Sequence, residues 1–409
     1  MSGMIGVFSQ NDQEDIHPFL YQGIMSLQHR GQKGFGYVVN EQAQYGNDLL
    51  ADAMLRSYKG HVGIAFVKYA FTKEKQNEPM LPKRVNDSFM TYDGSISYFK
   101  DSLDDLVKLH HKMLKHQGAF AFIVVAKDRL IAMRDPWGIK PLVMGRLDDI
   151  WIVASETCAL ESINANEIRD VNPGEMVIID KFGCTFYQNV YTVMTPCLFE
   201  YIYIARPDST MNGVSIYEAR KNMGKQLFKE APVDADVVIG APDSGLIAAL
   251  GYAQAAGIPY EKGIVKNKYI GRTFIEPDPR IRKNNVDVKL AAIPSVVKDK
   301  EIILVEDSIV RGTTIQKTIK ILKNHGAKKV HVRVSSPPII FEENTSIDIP
   351  NKKDLMSYGK TVEEVRDIIG CDSLYFLSLE GLKKAIGNEH FYTQYFDGES
   401  PFKGDENDI

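Results

Sequence analysis

The sequence has no cysteine pair. Cys158, Cys184, Cys197 and Cys371 are scattered, with no Cys-x-x-Cys spacing, which argues against a disulfide framework or a thiolate metal site and for reduced thiols in packed positions. No stretch approaches the ~20 apolar residues that a membrane span needs. The N-terminus lacks a basic region followed by an apolar one, so no secretory leader is read. There is no low-complexity tract and no excess of positive charge. A formal net charge of −4 argues against a general nucleic-acid or membrane surface, while local basic pockets remain open. Together these absences give the expectation of a soluble cytoplasmic protein with neither nucleic acid nor membrane as partner.

What is present suits a globular chain of two domains: 409 residues, 44% hydrophobic and 25% charged, enough for two sizeable cores. The most informative stretch is Glu301 to Thr314. The apolar run Ile302, Ile303, Leu304 and Val305 ends in the acids Glu306 and Asp307, then passes through Ser308, Val310, Arg311 and Gly312 to Thr313 and Thr314, where a helical pattern begins. A strand buried on both faces reads as such a run, and open α/β sheets bind ligands at the carboxyl ends of their strands. The two acids can hold sugar hydroxyls or a hard cation. The loop offers hydroxyls, a flexible glycine and N–H groups at a helix N-terminus, a cradle for phosphate. An ordinary turn with a solvated acidic pair is the plainer reading, and the ordered combination of residue types weighs against it.

This run resembles the phosphoribosyl pyrophosphate (PRPP) loop of type I phosphoribosyltransferases, and in detail that of the amidophosphoribosyltransferase family, which usually has Asp where Glu306 stands. The resemblance extends from residue 1 to about 401. Val237 to Gly240 followed by Ala241-Pro242-Asp243-Ser244-Gly245 and a helix over Leu246 to Ala256 is similar to the family's pyrophosphate loop. A turn of this kind can bring N–H groups against a diphosphate. Residues 266 to 290 read as a solvated basic loop or as a lid, and the resemblance favours a lid carrying Lys266, Arg272 and Lys289 to the leaving pyrophosphate. By the same resemblance, magnesium would be held by Ser244, Glu306 and Asp307.

The N-terminal part resembles the glutaminase domain of the same family. Leu27-Gln28-His29-Arg30-Gly31-Gln32, Arg134-Asp135-Pro136-Trp137-Gly138-Ile139-Lys140 and Ala154-Ser155-Glu156-Thr157 all match its motifs. Removal of Met1 would expose Ser2, whose own amine could serve as base for its hydroxyl. The family has Cys at that position. Its substrate-binding Arg is Lys68 here, which keeps the charge and loses the planar fork. Its oxyanion-hole Asn-Gly is Asp93-Gly94, where a carboxylate accepts instead of donating. Loss of one such donor costs ~100-fold or more in rate. The segment between Gly94 and Gly118 is also shorter than in the family, with no Ser-Asp pair for the substrate amine.

The resemblance implies an α/β chain: an N-terminal nucleophile hydrolase-like αββα sandwich over 1–195, inactive as a glutaminase, a type I phosphoribosyltransferase domain with a parallel sheet and flanking helices over 196–390, and a C-terminal tail over 391–409. Relatives of the iron–sulfur type have cysteines near residues 342–346 and 392–398. Here Cys197 alone stands for the four ligands, so no iron–sulfur cluster is expected. Three functions stay open: transfer of phosphoribosyl to ammonia, giving 5-phosphoribosylamine; transfer to another amine or nucleophile in a specialised pathway; or a non-catalytic PRPP- or nucleotide-binding regulator. The enzyme readings fit the intact acids and phosphate loop better. A homo-oligomer is implied by the resemblance alone.

Overall fold

The computed structural model describes residues 1–53, 56–70, 77–96, 105–126, 128–188, 193–267, 290–343, 345–347, 349 and 351–402. The expected Arg272 and Lys289, most of the expected lid, and the acidic end after Phe402 lie outside these residues.

The N-terminal half is built from two antiparallel sheets. One has seven strands in the order Asn166–Asp170, Val143–Leu147, Ile150–Ala154, Gly3–Ser9, Val62–Val67, Phe35–Val39 and Gln42–Gly46. The other has six, in the order Gly183–Tyr187, Met176–Asp180, Arg129–Arg134, Phe120–Ala126, Ser88–Gly94 and Lys83–Val85. Gly3–Ser9 and Phe120–Ala126, inside these sheets, are buried at every position because both faces are covered, and the period of two sorts the side chains between those faces. Along Phe120–Ala126, Ala121, Ile123 and Val125 enter the core between the sheets, whereas Phe120, Phe122 and Val124 join the layer that includes Leu109 and Met113 of the helix Leu106–Met113. Along Gly3–Ser9, Met4 and Phe8 face inward and Ile5 and Val7 face the helices His17–Ser26 and Thr157–Ser162. This gives the expected αββα sandwich.

The second half holds a parallel sheet in the order Val237–Gly240, Glu301–Glu306, Lys329–Val334 and Ser373–Phe376. Val238, Ile303 and Val305 pack beneath the helices Ile216–Glu230, Leu246–Ala256 and Leu379–Ile386. Val237, Ile239, Ile302 and Leu304 pack against Thr313–Asn324 and Val362–Ile369 on the other face.

The two halves share a core. Ala119 and Ile139 of the first join Cys197, Leu198 and Ile202 of the second, and Phe391, Tyr392, Tyr395 and Phe396 pack into the same cluster. Phe402 stands edge-on to Trp137 with ring centroids 5.0 Å apart.

Candidate active site

Strands Val237–Gly240 and Glu301–Glu306 run in parallel with Gly240 opposite Val305. Their carboxyl ends therefore emerge side by side, and the loops that follow face one ligand position. The first loop turns tightly: the Ala241 amide donates to Val305 O at 2.9 Å and the Gly245 amide to Ala241 O at 2.9 Å. A Cβ on Gly245 would run into the Val305 carbonyl, so glycine is required for loop and strand to approach. Ser244 is partly buried on this loop.

The second loop carries the acids. Glu306 is partly buried and Asp307 buried, and Ser308 Oγ donates to Asp307 Oδ2 at 3.3 Å. Burial, then the neighbouring Asp307 charge and a hydrogen bond between the two, push the Glu306 carboxyl well above the usual range. The loop ends at Gly312, φ +72°, which caps the helix Thr313–Asn324. Only glycine takes this backbone readily. Val310 is partly buried, and Arg311, Thr313 and Thr314 are exposed along the same turn.

Lys266 reaches this site, its ammonium 2.8 Å from Asp243 Oδ2 beside Ser244. A pair of crowded carboxylates with a nearby hydroxyl offers hard oxygen donors, and a divalent cation would relieve their mutual repulsion. Magnesium typically binds through one or two carboxylates plus substrate phosphates, so Glu306, Asp307 and Ser244 fit it in residue type.

Of the expected first-domain positions Ser2, Lys68, Asp93 and Gly94, a hydrogen bond joins Ser2 to Asp93, the neighbour of Gly94, and Lys68 donates to Glu78 O. Asp93, near the end of Ser88–Gly94, is buried and held by cations. Its Oδ1 accepts from the Ser2 amide at 2.9 Å and from the Met1 α-amine at 2.7 Å, and its Oδ2 lies 3.1 Å from Lys140 Nζ. Burial alone would raise this carboxyl, but Lys140, the Met1 amine and Arg30 hold it well below the usual carboxylate range. Burial in turn lowers the Met1 amine to about 5, against the pull of Asp93. Near pH 7 that amine donates as a largely neutral group, and Lys140 is the cation that balances Asp93.

Ser2 Oγ accepts from the Tyr69 amide at 3.1 Å. Lys68 Nζ donates to Glu78 O at 2.6 Å. Gly94 follows Asp93 on the strand, paired with Phe120.

Behind the pocket Arg30 is fully buried. It donates to Glu156 at 2.6 Å and, through both terminal nitrogens, to Glu200 at 2.7 and 2.9 Å. His29 Nε2 stands 2.7 Å from Glu156.

Two family models match the chain. Residues 214–339 match a phosphoribosyl transferase domain and residues 107–162 a glutamine amidotransferase domain. Amidophosphoribosyltransferase of Bacillus subtilis is 39% identical over 430 residues, covering 94% of this chain and 90% of that protein. The enzyme of the same name from Methanocaldococcus jannaschii is 37% identical, covering 98% of each. The solved B. subtilis glutamine PRPP amidotransferase, complexed with ADP and GMP, superposes with a TM-score of 0.86 at 35% identity, covering 100% of this chain and 99% of that one. The chain belongs to the amidophosphoribosyltransferase family. It is a pentosyltransferase of the class that displaces pyrophosphate from PRPP, with a glutamine amidotransferase domain in front.

Against that family pattern, one buried contact escapes a reading of the sequence. Lys140 sits in a Gly-Ile-Lys-Pro-Leu run that reads as a scaffold turn, and nothing in its spacing marks it as the partner of Asp93. The only available signal is a lysine inside an otherwise apolar, Gly- and Pro-bounded segment, since a buried ammonium needs a counter-charge. Glu343 is similar. It stands near the positions of the family's missing thiolates, and the structure gives it four donors: the amides of Thr345, Ser346 and Ile347 and the Tyr392 hydroxyl, at 2.6 to 2.8 Å.

Proposed function

We propose that this chain transfers the phosphoribosyl group of PRPP to ammonia supplied from outside its own first domain, giving 5-phosphoribosylamine, and does not hydrolyse glutamine itself. One observation carries the reading. The position expected to stabilise an oxyanion holds a buried carboxylate, Asp93, fixed by Lys140 3.1 Å away, while Glu306, Asp307 and the phosphate loop stand together at the strand ends. An anion developing beside Asp93 would meet a like charge, the reverse of what acyl transfer needs.

At the second site, cleavage of the C1–pyrophosphate bond builds positive charge on the sugar ring. Catalysis there needs alignment and leaving-group neutralisation more than a covalent nucleophile. Glu306 and Asp307 hold the ribose 2- and 3-hydroxyls. Ser308, Val310, Arg311, Gly312, Thr313 and Thr314 surround the 5-phosphate at the helix N-terminus. Ser244 presents its N–H and hydroxyl to the diphosphate, on a turn that Gly245 allows to close against the strand end. Among the described residues Lys266, beside Asp243 of this loop, is the cation for the departing pyrophosphate, and Arg272 and Lys289, which lie outside them, are the further cations of this reading. Magnesium, when bound by Glu306, Asp307 and Ser244, supplies charge neutralisation of the leaving group. Ammonia attacks as a neutral nucleophile, so neither acid has to act as a general base.

The test is pyrophosphate release from PRPP and magnesium, scanned across glutamine, ammonium and a panel of amines. Release with ammonium and not with glutamine supports the reading. Release with another amine alone moves the acceptor to a specialised pathway, and no release with any nucleophile leaves a PRPP- or nucleotide-binding regulator.

A further inference from the structure

Hydrogen bonds and packing lead from Asp93 in the first domain to the phosphate loop of the second, buried at the Asp93–Lys140 end and exposed at 351–354. The path starts at Asp93, whose Oδ2 is 3.1 Å from Lys140 Nζ. Lys140, 1% exposed, donates its ammonium N–H to the backbone carbonyl of Ser346. The Ser346 amide donates to Glu343 Oε1 at 2.6 Å, the Ile347 amide to Glu343 Oε2 at 2.8 Å, and the Ile349 amide to Glu343 O at 2.7 Å. Ile347, Ile349 and Leu355 are buried in the core that both halves share. One residue beyond Leu355, the Met356 amide donates to Val310 O at 2.7 Å. The Met356 side chain fills the space that a Cβ on Gly312 would need, and Asp354 Oδ2 lies 3.6 Å from Arg311.

Each link is anchored for a physical reason. A buried ammonium is tolerable only with a counter-charge and acceptors, and Lys140 has both, one from each domain. A buried carboxylate that accepts several backbone N–H groups fixes its loop in one arrangement, as Glu343 does for 345–347. Past the exposed residues 351–354, the buried Leu355 and the main-chain hydrogen bond from Met356 to Val310 reach the phosphate loop. The carboxylate at residue 93 therefore adds a charge whose partner, Lys140, is tied to the backbone of the loop 345–347 in the second domain.

We infer that Asp93 and Lys140 are positioning residues for the transferase: their ion pair, acting through Ser346 and the segment that ends at Met356, sets the geometry of the loop 308–312 that takes the PRPP 5-phosphate. The inference rests on the reading that the second domain binds PRPP, and it gives the first domain a role in that binding independent of glutamine.

The experiment uses the full chain as D93N, K140M, the double variant and K140R. KM for PRPP and kcat are measured with ammonium as nucleophile, alongside hydrogen exchange of the 308–312 and 351–356 amides. D93N and K140M should each raise KM for PRPP about three- to tenfold with kcat within about twofold. The double variant should be no worse than K140M, K140R should recover most of the affinity, and exchange at 308–312 should quicken in D93N. Unchanged KM and unchanged exchange at 308–312 in D93N and K140M would overturn the inference, even if both melt at lower temperature. A wild-type chain that binds no PRPP defeats the functional reading instead, and the exchange arm still decides the coupling.

Discussion

Asp93 Oδ2 lies 3.1 Å from Lys140 Nζ, and both side chains are buried, 6% and 1% exposed. Burial works against each charge, yet Asp93, followed by Glu200, raises the Lys140 ammonium above its ordinary value, and Lys140 leads the groups that hold Asp93 ionised. Residue 93 is thus tied into the fold as an acceptor.

The pH dependence of this pair has a definite sign. Asp93 is depressed below its unfolded value of 3.8, so its contribution is fully present above that value and is lost as pH falls through the lower folded value. D93N should destabilise the chain at pH 7 by about 3 kcal/mol, the cost of leaving a buried partner unpaired. Denaturant unfolding with the Met1 amine acetylated in both chains should show this gap constant above about pH 4.5 and shrinking below about pH 4. A gap that widens with acid would contradict the assignment.

Arg30 ties the halves together, donating to Glu156 in the first and to Glu200 in the second. R30M removes the cation and leaves two buried carboxylates, a loss of about 3–5 kcal/mol. Calorimetry should show a lower first transition, with the two halves unfolding separately. A single transition at the wild-type temperature would mean that the network contributes nothing.

Asp307 is buried at the strand exit and accepts from Ser308. D307N keeps the shape and removes the charge that should hold magnesium and a ribose hydroxyl. Pyrophosphate release should fall by about 100-fold in kcat/KM, the scale of losing one preorganised electrostatic contact, with the melting temperature near that of the wild type.

Gly245 faces the carbonyl of Val305 too closely for any Cβ. G245A must push the loop 241–245 away from the strand end, and the diphosphate contacts with it. Titration calorimetry should show PRPP affinity at least about tenfold weaker, which is ~1.4 kcal/mol. G257A, strained by its φ of +68° but at the far end of the same helix, serves as the control for lost stability alone and should leave affinity unchanged.

Much of the fold was legible because its signals are local. The run Ile302 to Val305 is apolar as only a strand covered on both faces would be, and it folds as Glu301–Glu306. The expected helix Leu246 to Ala256 has those bounds, and Gly326, φ +90°, follows the helix that starts at Thr313. Glu306 was legible as a site candidate because it closes a buried strand and Ser244 because it lies in the loop after another, and the parallel register puts those two strand ends side by side. The partners of Asp93 were not legible. Lys140 reaches it from a turn in another strand connection, and Arg30 meets Glu200 across the junction, so both pairings exist only after the sheets and domains have packed. Glu343 read as a position that had lost a thiolate, whereas its carboxylate organises a loop through backbone donors that have no sequence signature.

The central claim is that the second domain works on PRPP while the first has ceased to make ammonia from glutamine. Its most direct test is glutamate release from glutamine by the purified chain, with magnesium and PRPP saturating and pyrophosphate followed in the same tube. The account predicts no glutamate above background, and pyrophosphate release that begins only when ammonium is added. Glutamate formed in step with pyrophosphate, one for one and without ammonium, would contradict it.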